Sequence, residues 1–170
     1  MKTLIIYYSL DGNCALIAEN LKSCLKAEVL EIKTLDTKKR KGFALYFWGG
    51  SQVLFRKKPP LKPYTIDVNA WDLIILGTPV WAGSPAPAIS SFLDKTKISG
   101  KKLALYCCHG GGMGEALEKF KALLPGNTFA GEINFKVPRR EDASKVKQQT
   151  EEWAKTLAKK SGSIWSPCLK

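Results

Sequence analysis

Apolar positions in this chain follow two rhythms. Short, nearly unbroken apolar runs occur at Thr3-Leu4-Ile5-Ile6-Tyr7-Tyr8, at Trp71-Asp72-Leu73-Ile74-Ile75-Leu76-Gly77 and at Lys102-Leu103-Ala104-Leu105-Tyr106-Cys107-Cys108. Runs of this length, rich in branched and aromatic side chains, predict strands buried on both faces. Ala27-Glu28-Val29-Leu30-Glu31-Ile32 alternates apolar with polar, the pattern of a half-buried or edge strand, and residues 128–137 predict a broken last strand. Between these runs the spacing turns helical. Ala15-Leu16-Ile17-Ala18 with Leu21 and Leu25 predicts a helix over about 13–25, and further helices are predicted over 86–93, 113–124 and 142–160. Pro125-Gly126 supplies the stop signal for the third of these.

Five strands alternating with helices imply an α/β fold, a three-layer, doubly wound parallel sheet with helices on both faces. One domain over 1–170 suffices for this pattern. Two stretches fall outside it. The segment at about 37–66 reads as an insertion, aromatic at Phe43 to Trp48, basic at Lys38-Lys39-Arg40-Lys41 and Arg56-Lys57-Lys58, and barred from strand structure by Pro59-Pro60 and Pro63. The tail 161–170 carries no readable pattern.

In open parallel sheets, ligands sit beyond the carboxyl ends of the strands. Three loops follow strands here and should meet at one edge: Ser9–Cys14, Thr78–Ser84 and His109–Gly112. Each offers something different. Ser9, Leu10, Asp11, Gly12, Asn13 and Cys14 join a strand to a helix start, where exposed N–H groups and the positive helix end bind anions. The loop has neither the dinucleotide fingerprint nor a P-loop. Thr78, Pro79, Val80, Trp81, Ala82 and Gly83 set a large indole beside small residues that let a flat ligand approach. Cys108, His109, Gly110, Gly111 and Gly112 form an uncharged wall, with Cys107 and Cys108 alternating across the sheet so that at most one faces the ligand. A phosphate at one end and a flat ring at the other describe a mononucleotide.

Composition sharpens the choice of partners. The chain carries 27 Lys+Arg against 15 Asp+Glu, a formal charge of +12, which implies acidic company: an acidic protein, nucleic acid or an anionic surface. No apolar run approaches the roughly 20 residues that span a bilayer, and no secretory signal is expected. Five cysteines without a C-x-x-C pair read as reduced thiols, and a cytoplasmic protein is expected. One histidine and unpaired cysteines leave no metal site to propose.

Over nearly its whole length the chain resembles the flavodoxin-like FMN proteins. Ser9-Leu10-Asp11-Gly12-Asn13-Cys14 is similar to the family's strand-one loop, commonly S/T-x-T-G-x-T, and Gly77-Thr78-Pro79-Val80-Trp81-Ala82-Gly83-Ser84-Pro85-Ala86-Pro87 to its ring-binding loop. The resemblance implies FMN as cofactor and strand order 2-1-3-4-5, with the flavin at the switch between the first and third strands. It also implies Trp81 against the isoalloxazine and the Ala82–Gly83 peptide near the redox nitrogen. Trp48 is a candidate flavin or partner contact. His109 is open between a donor to a flavin carbonyl and a solvated loop residue. Asp11 and Cys14 depart from the pattern by standing where hydroxyl residues are usual. An Asp11 carboxylate facing the phosphate at about 4 Å would cost roughly 4 kcal/mol per charge pair, so Asp11 is expected to turn outward and offer only its backbone N–H.

The resemblance leaves three functions open. The first is electron transfer by bound FMN to a redox partner protein, for which an acidic, ferredoxin-like one is a candidate. The second is an NAD(P)H-dependent FMN reductase passing electrons to a quinone or other small acceptor. The third is a non-enzymatic basic module on the same fold, for which nucleic acid is the less expected partner.

Overall fold

The computed structural model describes residues 2–36, 50–51, 53–55 and 57–161. Trp48 and most of the basic and aromatic part of the insertion lie outside the described residues, as does the tail beyond Ser161.

Strands β1 (Thr3–Tyr8), β2 (Glu28–Ile32), β3 (Leu73–Trp81), β5 (Lys102–His109) and β6 (Thr128–Lys136) form a parallel sheet in the order β2-β1-β3-β5-β6. This is the expected 2-1-3-4-5 order once β4 (Ser84–Pro85) is set aside; that two-residue strand pairs antiparallel with the end of β3. Helices α1 (Asn13–Leu25), α2 (Pro87–Lys95), α3 (Ala116–Ala122) and α4 (Ala143–Ser161) connect and cover the strands.

Strand periodicity sorts the core into two halves. On one face Ile5, Tyr7, Ile75, Ala104 and Tyr106 pack with Ile17 and Leu21 of α1 and with Trp153 and Leu157 of α4. On the other face Leu4, Ile6, Ile74, Leu76 and Leu105 pack with Ile89 and Phe92 of α2 and with Leu117 and Phe120 of α3. Fully burying one such Leu, Ile or Phe is worth about 1.5–3 kcal/mol, so both helical layers are held by many interchangeable contributions. The irregularity expected in the last strand is a bulge: Leu103 pairs Phe129 and Ala104 pairs Gly131, leaving Ala130 as the extra residue.

Three expectations are corrected. Residues 78–81 continue β3 instead of forming a loop, because Val80 and Trp81 pair with Pro85 and Ser84 across a tight hairpin. The third helix starts at Ala116, not 113, since Gly114 takes a left-handed φ of 56° that no helix residue can hold. Cys24 is disulfide-bonded, whereas Cys14, Cys107 and Cys108 are free buried thiols, so the five cysteines are not uniformly reduced. Among the described residues no helix is long and apolar enough to cross a membrane.

Candidate functional site

The sheet's carboxyl edge is organised from beneath by Tyr106. Its ring lies over Gly77, where an added Cβ would fall 2.0 Å from the ring, and its hydroxyl donates 2.9 Å to the Cys14 carbonyl in the first turn of α1. Burial, reinforced by the neighbouring Cys14, Cys108 and Tyr7, pushes this phenol well above its ordinary pKa, so it remains a neutral donor. One buried hydrogen bond thus ties the start of α1 to β5.

The loop before α1 is shaped by its own polar side chains. Gly12 caps the helix at φ 86°, a conformation that side-chain-bearing residues avoid. The Ser9 hydroxyl accepts from the Ala15 N–H at 3.3 Å. The Asp11 carboxylate is tied into the loop: one oxygen accepts from the Asn13 backbone N–H at 3.2 Å, the other from the Asn13 side-chain amide at 2.7 Å. It therefore occupies an N–H group of the anion-binding helix start: Asp11 is exposed, but it engages Asn13 through its carboxylate, where only its backbone N–H was expected to take part.

A further element closes this loop from the side. After β6, Val137 adopts a left-handed φ of 35° and Pro138–Arg140 form one 3-10 turn. The Arg139 N–H donates to the Asn13 side-chain oxygen at 3.0 Å, and the Arg139 guanidinium donates to the Asp11 carbonyl at 2.6 Å. Asp11, Asn13 and Arg139 are thereby linked into one clasp, with Gly12 beneath the arginine: a Cβ there would lie 3.0 Å from its guanidinium nitrogen.

The second loop is the β3–β4 hairpin. Ala82 and Gly83 form its two-residue turn, both at positive φ, 47° and 67°, the combination that matches strand twist in tight hairpins. The fully buried Thr78 braces it by accepting from the Ala86 N–H at 2.9 Å and donating to the Pro79 carbonyl at 3.0 Å. Lys119 of α3 donates to the Gly83 carbonyl at 3.3 Å, and Gly114 approaches so closely that a Cβ on it would lie 3.1 Å from the Gly83 Cα. Trp81, partly exposed, meets Tyr8 edge-on at 6.0 Å.

The third loop follows β5. His109 Nε2 lies 3.1 Å from the Asn134 side-chain oxygen, which can only accept; a neutral ring that donates to it leaves Nδ1 as an acceptor. Nδ1 is buried and makes no hydrogen bond among the described residues. A Cβ at Gly110, Gly111 or Gly112 would meet nothing, so these glycines expose backbone rather than relieve crowding.

The three loops share one pocket of about 730 Å³. Leu10, Asp11 and Asn13 line it from the first loop, Pro79, Val80, Trp81, Ala82 and Gly83 from the second, and Cys108, His109, Gly110, Gly111 and Gly112 from the third. Four predicted residues sit behind the wall instead. Ser9, Gly12 and Thr78 hold the loops in shape, and the Cys14 side chain is fully buried, beside Cys108. Burial first, then the hydrogen bond to Cys108 and nearby charge, hold the Cys14 thiol well above its ordinary pKa, and burial pushes Cys107 up to about 12. Such thiols are packing groups, not nucleophiles. Cys107 and Cys108 do alternate, the first into the layer of α2 and α3, the second toward the pocket.

Gly50, Val137 and Arg140 complete the wall and were not anticipated. The signal for Arg140 was present: a basic pair directly after the last strand lies at the same carboxyl edge as the loops. Arg140 is exposed and places a permanent cation in a pocket that also receives the N-terminus of α1, which suits a phosphate. The indole, the small Ala82–Gly83 turn and the buried His109 acceptor suit a flat ring with polar edges. The donor set therefore fits a flavin mononucleotide.

Comparison with known proteins bears on the same pocket. Residues 1–134 match the family model described as NADPH-dependent FMN reductase. No curated protein matches the chain significantly. Among solved structures, a flavoprotein in complex with FMN from Lactobacillus acidophilus NCFM is 29% identical, with 78% of this chain and 92% of that chain covered and a TM-score of 0.69. Two others share the fold. Oxidised Flavodoxin 2 from Bacillus cereus is 22% identical, covering 94% and 99% of the two chains at a TM-score of 0.59. The flavodoxin, WrbA-like protein from Agrobacterium tumefaciens is 15% identical, covering 96% and 99% at a TM-score of 0.59.

Proposed function

The chain belongs to the NADPH-dependent FMN reductase family and is a flavodoxin-like flavoprotein, and from that premise we propose that it binds FMN at the carboxyl edge of the sheet, takes electrons from NADPH and passes them to a small acceptor. The observation that carries this reading is the convergence of the α1 start, the Trp81–Gly83 hairpin, the His109 loop and Arg140 on one pocket. FMN, when bound, supplies the electron chemistry, and the protein supplies placement and electrostatics.

The chain's own residues divide that work. Backbone N–H groups at Gly12 to Cys14, the Asn13 one shared with the Asp11 carboxylate, would hold the phosphate together with the Arg140 cation. Asp11, Asn13 and Arg139 keep the loop in shape and set its local charge. Trp81 would flank the ring and exclude water from one side. The Ala82–Gly83 turn, stiff because both residues hold positive φ, presents backbone groups to the ring's polar edge. His109 Nδ1 is an acceptor for one ring N–H.

A second reading, single-electron delivery to an acidic redox protein, is favoured by the +12 charge, which would speed docking of such a partner. One experiment separates the two. The purified protein, reconstituted with FMN, is mixed with NADPH without oxygen. Direct bleaching of the flavin supports the reductase. Bleaching only after an electron-donor protein is added supports the carrier, and failure to retain or rebind FMN removes both.

A further inference from the structure

A second cavity, of about 340 Å³, shares Trp81, and no other described residue, with the lining of the pocket just described. Its remaining sides are largely apolar and flat: Tyr8 at the end of β1, Pro59 and Pro60, and Ala88 in the first turn of α2. The Pro60 segment is held in place by backbone pairing. The Leu35 N–H donates to the Pro60 carbonyl at 2.9 Å, and the Lys62 N–H to the Lys33 carbonyl at 2.7 Å. Tyr8 is buried and stands edge-on to Trp81, so two aromatic rings meet at a corner of the cavity. Burial holds its phenol up at about 12, so it is a neutral polar group there.

Charge is confined to the exposed side. Lys57, Lys58 and Asp36 line that side. Lys58 is paired with Asp94 at 2.7 Å, while Lys57 is exposed with its ammonium free of any such pairing among the described residues. Lys58 is matched by Asp94, so the Lys57 ammonium is the cation that a ligand at the mouth can meet, on a chain of charge +12.

We propose that this cavity is a second small-molecule site, selective for a planar aromatic anion whose ring lies against Tyr8, Trp81 and Pro60 and whose charged group meets Lys57. An apolar, aromatic-cornered cavity with a few polar groups at its mouth has the make-up of a small-molecule site. Because the two cavities have Trp81 alone in common among the described residues, the two sites are filled independently. Its role beside a flavin, holding the non-reacting aromatic end of a co-substrate, rests on the function proposed above; its ligand class does not.

The probe is 2-naphthoate, titrated calorimetrically into the apoprotein and into the FMN-loaded protein, with uncharged 2-naphthamide as comparison. The expected result is that 2-naphthoate binds both forms alike and more tightly than the amide. Lys57→Glu should weaken naphthoate by about tenfold at low salt, with the difference shrinking as salt rises, and leave the amide unchanged. Ala88→Leu, which fills the cavity, should abolish binding of both. The proposal is overturned if naphthoate does not bind, if FMN displaces it, or if Lys57→Glu leaves naphthoate affinity unaltered. A protein that fails to take up FMN but still binds naphthoate in this way would remove the flavin reading and keep this one.

Discussion

Asp11 is the residue whose charge most directly opposes a phosphate at the start of α1, and replacing it by asparagine isolates that charge. The carboxylate and a bound phosphate share one group of backbone donors. Two hydrogen-bond lengths through a shared donor set their separation at about 6 Å. At that distance the repulsion is ~0.7 kcal/mol per pair of unit charges in water and twice that at half the dielectric, and a phosphate monoester carries up to two charges. Asp11→Asn should therefore tighten FMN binding by about 1–2 kcal/mol, roughly 5- to 30-fold. The asparagine oxygen still accepts from the Asn13 N–H, while the bond from the Asn13 side-chain amide is lost, because the new NH2 cannot accept it. The assay is titration of apoprotein by quenching of flavin fluorescence, run in parallel with riboflavin, which lacks the phosphate. Riboflavin affinity should stay put, and the FMN gain should shrink at high salt. A parallel rise for riboflavin would refute the electrostatic argument. A fall in FMN affinity would show that the carboxylate's two bonds to Asn13 matter more than its repulsion.

Further predictions test the other parts of the site. Arg140→Ala should weaken FMN by about 1 kcal/mol, roughly fivefold, and leave riboflavin unchanged in the same titration, because an exposed cation acts on the phosphate alone. Gly77→Ala places a Cβ 2.0 Å from the Tyr106 ring, which is pinned by its bond to Cys14, and should cost ~3 kcal/mol or more in chemical denaturation. Ala82→Gly should raise stability by about 1 kcal/mol, since a left-handed backbone is costly for alanine, whereas Ala82→Val should lower both stability and FMN affinity; thermal melts and titrations read both. Tyr7, Tyr8 and Cys107 are each neutral acids pushed up to about 12, mainly by burial, from ordinary values near 10, 10 and 9. Their contribution is complete below the unfolded pKa values and drains away as pH rises toward 12, at up to about 1.4 kcal/mol per group per pH unit. Denaturation midpoints should be flat to pH 9 and then fall steeply, and Tyr7→Phe or Tyr8→Phe should lessen that fall.

The layers and the strand order were legible because they rest on periodicity. Ile5 and Ile75 against Leu4 and Ile74 divide between the two core halves as alternation requires. The three loops were legible because short strand-to-helix connections at one edge are forced together by the winding. What escaped was set by long-range pairing and by side-chain choice. Nothing local announced that Ser84-Pro85 would pair back on Val80-Trp81, since Pro85 looks like a loop residue. The exposed Asp11 carboxylate is tied to the loop because Asn13, only two residues away, offers it two N–H donors. The Arg139–Arg140 turn joins the site across 126 residues of sequence, through the bond from Arg139 to Asn13, and a charged pair by itself does not say where it will dock.

The central claim is the placement of FMN, and a crystal structure of the protein with FMN bound tests it most directly. The account predicts the phosphate on the N–H groups of Gly12 to Cys14 within reach of Arg140, and the ring beside Trp81 with its polar edge toward Ala82–Gly83 and His109. Flavin density elsewhere, or a phosphate turned away from the start of α1, would contradict it.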